Sequence, residues 1–196
     1  MAGRLDEAER VEPRSRAEWR RWLAANHATS PGVWLVDHKK ASGRARLDYE
    51  EIVCEALCFG WIDSTLRAEG DRRLLYLAPR RPGGTWARSN KERVVRLIAE
   101  GLMRPAGQAA IDAAKADGSW SALDSVEALE VPDDLAAALA DAGLRDSYEA
   151  AGVGLKKQIL WSLVSAKRPA TRARRLAAAL GQLRVRADER RGSSER

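Results

Sequence analysis

Between Asp48 and Pro79 the apolar period changes from 3.6 to 2 across one glycine, and this limits the folds open to the chain. Asp48 with Glu51 has the spacing of a capped helix start. Tyr49, Ile52, Val53, Ala56 and Leu57 then fall on a single helical stripe, and Gly60 supplies a stop. From Trp61 to Ala68 the pattern alternates, with Ile62 and Leu66 on one face and Trp61, Asp63 and Thr65 on the other. Glu69-Gly70-Asp71 reads as a hairpin tip and Arg73 to Ala78 as the return strand, ended by Pro79 and Pro82. Hairpin strands pair antiparallel without a crossover helix, which argues against a doubly wound sheet.

Upstream, Ser15 with Glu18 fits a capping box ahead of Trp19, Trp22 and Leu23, in a helix that stops near Asn26. Ser30-Pro31-Gly32 is turn chemistry, Val33 to His38 reads as a strand, and Lys39 to Arg46 as a basic loop. Downstream, a helix starting near Thr85 carries Trp86, Asn90, Val94, Leu97 and Ile98 inward. Pro105 opens an Ala-rich helix to about Asp117. Trp120 to Glu130 reads as a loop, followed by a helix after Pro132 and a short one around Tyr148. Two last helices span Leu155 to Ala166 and Pro169 to about Arg184, the second burying Ala173, Leu176, Ala177 and Leu180. The predicted class is α+β: helix-rich, with a small antiparallel sheet of about three strands including one hairpin, and a helical C-terminal module. The expected boundaries are a disordered tail over 1–12, an α+β domain over 13–130, the helical module over 131–186 and a second tail over 187–196.

Apolar residues make up 45% and charged residues 32%, a globular balance. No run of about 18 apolar residues is present, so no membrane insertion is expected. The polar start lacks the apolar centre of a signal peptide, so a cytoplasmic address is expected. Cys54 and Cys58, four apart, are too few for a zinc site and read as reduced structural thiols. No cofactor is expected. From Ala150 to Ala187 there is no acidic residue and the charge is +9; the whole chain carries +6, so the remainder carries −3. Such a one-signed stretch suggests an anionic partner and weak polyanion binding.

Phosphate-loop, dinucleotide and nucleophile-elbow signatures are missing. Three strings carry the candidate chemistry. Cys58-Phe59-Gly60-Trp61-Ile62-Asp63-Ser64 sets an aromatic plate beside a carboxylate, so Trp61 and Asp63 are candidate ligand-binding residues. Trp86 and Asn90 lie four apart on a helix, joining them as candidates and giving Asn90 an inward amide that needs a partner. Arg88, Lys91 or Arg93 could then answer Asp63. In the third string, Lys167, Arg168, Arg172 and Arg175 are candidate anion-binding residues around a helix–helix link.

These strings, in this order, resemble the YdeI/OmpD-associated family of bacterial proteins over roughly 13–184. The matching stretches run from Trp19 to Leu23, Ser30 to Trp34, Glu55 to Ser64 and Pro79 to Arg81. They continue through Trp86, Asn90 to Val94, Pro105 to Gly107, Ala166 to Pro169 and Thr171 to Arg175. Arg104, Gly84 and Ala87 depart from the family pattern, which has hydroxyl residues there. The family is named for bacteriocin protection and an association with an outer-membrane porin; the resemblance implies a link to stress or antimicrobial protection and carries over no catalytic residue. The reading is therefore of a non-enzymatic binding or interaction protein with a protein or anionic partner. A nucleic-acid binder using the basic C-terminal helices is the second reading. A small-molecule enzyme around Trp61 and Asp63, with His38 as proton carrier, is the third.

Overall fold

The computed structural model describes residue 5, residues 7–38 and residues 47–194, the last five of these by backbone alone. The expected basic loop at Lys39 to Arg46 lies outside the described residues. The chain forms two compact units, Met1–Ser121 and Ala122–Arg196. The division thus falls nine residues before the expected one at 130.

The first unit is α+β. Strands β1 (Arg10–Val11), β2 (Val33–His38), β3 (Trp61–Glu69) and β4 (Arg72–Pro79) form one sheet in the order β1-β2-β4-β3. The predicted hairpin is β3–β4, turned at Gly70 with φ +60. β1 was not foreseen: it pairs parallel with β2, which makes the sheet mixed and places residues expected in a disordered tail inside it. Trp34 holds this segment by donating its indole N–H to Leu5 O at 2.6 Å. Two residues are too few for an alternation signal, so only pairing with β2 reveals the strand.

One sheet face is covered by α1 (Arg16–Asn26), α2 (Tyr49–Cys58), α3 (Arg88–Ala99) and α4 (Pro105–Ala116). The Ser15 hydroxyl accepts from Glu18 N–H, and Glu51 accepts from Asp48 N–H, as the capping spacings predict. α3 starts three residues later than expected, and Trp86 packs from the preceding loop. Only Val94 and Leu97 of α3 are buried, and Ile98 faces out. Every residue of α2 from Ile52 to Cys58 is buried, because the sheet lies beneath it and helices flank it. Its carboxylates make the lateral ties. Glu55, 1% exposed, accepts from Arg16 at 2.6 Å and Arg20 at 2.5 Å on α1. Glu50 accepts from Arg93 and Arg96 on α3. Both cysteines are free and buried.

Gly60 has φ +75 where α2 turns into β3. Below it, Gly107 lets α4 reach the end of α2. A Cβ there would stand 2.4 Å from Cys58 O.

The second unit is helical: α5 (Asp124–Glu127), α6 (Asp133–Asp141), α7 (Arg145–Glu149), α8 (Val153–Val164) and α9 (Pro169–Ser194). α5 lies in the stretch expected as a loop. α9 continues ten residues past its expected end, into the segment predicted as a tail. Its core face is Leu176, Ala179, Leu180 and Leu183, whereas Ala173 and Ala177 are exposed. Alanine carries little hydrophobic weight, so the four leucine and alanine positions fit either face in sequence. Among the described residues, no helix is long and apolar enough to cross a membrane.

Candidate functional site

β3 departs from the simple alternation read in the sequence. Directly paired residues share a sheet face, so Trp61 and Asp63 lie on the side of their partners Pro79 and Leu77. Leu77 belongs to the core beneath the helices, hence Trp61 and Asp63 face α2 rather than away from it. A bulge between Asp63 and Thr65 inserts Ser64 as an extra residue. Thr65 then pairs with Tyr76, and Leu66 pairs with Leu75 on the α2 side. One inserted residue exchanges the faces of everything that follows it. The expected pairing of Ile62 with Leu66 on one face is corrected accordingly.

The bulge opens a cleft of about 390 Å³ between β3 and the start of α2. Ile52, Leu66 and Leu75 supply apolar walls, and Asp37, Arg73, Tyr49 and Asp63 supply polar groups. Tyr49 donates its hydroxyl to Asp63 at 2.8 Å. Burial, then the Asp63 carboxylate, push the Tyr49 phenol up to about 12, so it stays a donor across neutral pH. On the other wall Arg73 holds Asp37, which is 6% exposed. The Arg73 Nε–H is buried without an acceptor among the described residues. Two carboxylates face one guanidinium, so the lining carries one net negative charge, and Asp63 is the carboxylate that no cation in the lining neutralises.

The other predicted ligand residues stand elsewhere. Trp61 is 1% exposed; it donates its indole N–H to His27 O at 3.1 Å and meets Trp22 edge-on. Trp86 is buried against Trp120, with the Arg80 guanidinium 3.6 Å above its ring. Burial lowers Arg80 to about 10, and the Asp63 charge opposes that shift. Asn90 accepts from Arg93 at 2.9 Å and steadies the clamp on Glu50. The expected partnership of Asp63 with the cations of α3 is replaced by Tyr49. His38 is next to Asp37 but points to the opposite sheet face, where its Nε2 meets Glu12 at 2.7 Å. That removes the proton carrier of the enzyme reading.

Tyr49, Asp37 and Arg73 were not singled out from the sequence. Asp37 carried a usable signal, because a carboxylate inside the apolar run Val33 to His38 needs a partner. Tyr49 carried none: its stripe position reads as core, yet it opens α2 and is 44% exposed.

In the second unit the four predicted anion-binding residues divide. Arg172 grips Asp134 at 2.6 and 2.8 Å and Leu163 O at 2.9 Å. Arg175 donates to Ser162 O at 2.6 Å and to the Ser165 hydroxyl. These two arginines cap the C-terminal carbonyls of α8 and fasten α9 to it. Lys167 and Arg168 stay exposed on the link.

The fold and these sites define a two-unit α+β protein with a basic helical second unit. The chain belongs to the family described as a domain of unknown function, DUF8412, whose model matches residues 11–110. Residues 128–185 match the family described as bacteriocin-protection, YdeI or OmpD-associated, so the second unit carries the family resemblance seen in the sequence. No curated protein and no solved structure matches the chain.

Proposed function

We propose that this is a binding protein of the YdeI/OmpD-associated type, serving bacteriocin or related stress protection inside a bacterial cell, whose first unit receives a small amphipathic amine. The Asp63–Tyr49 pair at the mouth of the cleft carries this reading. Tyr49 occupies one direction of the Asp63 carboxylate with a neutral donor, and within the cleft lining no cation pairs with it; Arg80 acts on its charge from outside the lining. An ammonium group there would complete an ion pair while its alkyl chain covered Ile52, Leu66 and Leu75. Leu66, 65% exposed, is the apolar side chain that gains most from being covered. Support for the protective role is the family whose model the second unit matches.

The test is thermal unfolding of the full chain with hexylamine, spermidine or hexanoate. Hexylamine should raise Tm, hexanoate should not, and Asp63→Asn should abolish the amine effect. A wild-type Tm indifferent to amines overturns the reading.

A further inference from the structure

Along the chain the second unit divides by charge. From Ala122 to Glu149, across α5, α6 and α7, eight carboxylates stand against one arginine, Arg145. From Ala150 to Ala187, across α8 and most of α9, nine cations stand against none. The internal ion pairs use little of this positive charge. Arg172 and Arg175 are spent on Asp134 and on the end of α8, and Lys156 donates to Glu149 O at 2.9 Å. Lys157, Lys167, Arg168 and Arg174 make no ion pair with any described residue. Among them α8 turns an apolar stripe outward: Val153 57%, Trp161 37% and Val164 39% exposed. Lys157 is one turn before Trp161 on that face, and Lys167 and Arg168 follow the helix end.

We infer that this face of α8, with the link to α9, binds single-stranded nucleic acid. Protein interfaces are depleted in lysine and mix the two signs of charge, whereas nucleic-acid interfaces are strongly positive. The unpaired ammonium and guanidinium groups meet phosphates, and the outward indole offers a plate on which a base stacks. A duplex offers the phosphates but keeps its base faces hidden, so Trp161 favours single strands. The recognition is of backbone and base plane, so it is tolerant of sequence. This inference does not rest on the cleft of the first unit.

The experiment is fluorescence anisotropy of the full chain with a labelled twelve-nucleotide oligo(dT), with a duplex of that length, with polyglutamate and with phosphatidylglycerol vesicles. Oligo(dT) should bind most tightly and weaken steeply with salt. Trp161→Ala should lower oligo(dT) affinity about tenfold while leaving duplex affinity unchanged, and Trp161→Phe should recover most of the loss. Replacing Lys167 and Arg168 with glutamate should lower affinity for both. Circular dichroism of each variant confirms the fold. Polyglutamate, duplex or vesicles binding as tightly as oligo(dT) would overturn the proposal in favour of an acidic protein, a duplex or a membrane surface. So would a Trp161→Ala protein that binds oligo(dT) as the wild type does.

Discussion

Tyr49, the first residue of α2, donates its hydroxyl to Asp63, two residues into β3, at 2.8 Å, and so closes the cleft between helix and sheet at one end. The phenol is neutral in the folded protein until about 12, against 10 for an unperturbed tyrosine. The folded state therefore holds its proton where the unfolded chain has lost it. The stability that this contributes is complete below pH 10 and disappears as pH rises from about 10 to about 12. Burial also pushes the Tyr148 phenol up, so absorbance titration at 295 nm should show a late-ionising component that shrinks, without vanishing, in Tyr49→Phe. In urea at pH 7, Tyr49→Phe should cost about 0.5–1.5 kcal/mol. A variant with the wild-type midpoint would show that the hydrogen bond does not hold the helix to β3.

Glu50 gives the opposite sign at the acid end. Hydrogen bonds from Arg93, then from Arg96 and Cys54, outweigh desolvation and hold its carboxyl down to about 2. The contribution is present above the ordinary carboxylate range and is lost as pH falls from about 4.5 toward 2. The pair is partly open to solvent, so Glu50→Gln should cost no more than about 1 kcal/mol at pH 7. Unfolding midpoints of the two proteins should converge between pH 4 and pH 2.

Glu55 is the costlier carboxylate to remove. It is almost fully buried between Arg16 and Arg20, and Arg20 also donates to Leu102 O at 2.8 Å. Glu55→Ala leaves two guanidinium groups facing a cavity, one of them well covered. The expected loss is about 2–3 kcal/mol, measured by urea unfolding at neutral pH.

Gly107→Ala tests the contact between α4 and the end of α2. The new Cβ would lie 2.4 Å from Cys58 O and 2.7 Å from Leu57 O, and both are backbone atoms that cannot step aside. A loss of about 1–3 kcal/mol is expected. Gly152→Ala serves as the control, since a Cβ there meets nothing within 4 Å.

The sequence by itself determined most of the elements and their order, β1 and α5 excepted. Ser15 and Asp48 marked helix starts because their polar side chains satisfy backbone N–H groups within the same turn. Val33 to His38 and the tip at Gly70 were legible for the same reason: a short apolar run between turn residues and a glycine's positive φ are local properties. The charge contrast within the second unit was also written in the chain. What only the tertiary structure decided was which groups meet. The bulge at Ser64 depends on register against β4, and that one insertion placed Leu66 beside Asp63. Asp37 finds Arg73 across 36 residues, and Arg172 finds Asp134 across 38. No local period encodes such pairings, because they follow from strand order and helix packing. They set which charges remain available: the Asp63 carboxylate in the first unit, and Lys157, Lys167, Arg168 and Arg174 in the second.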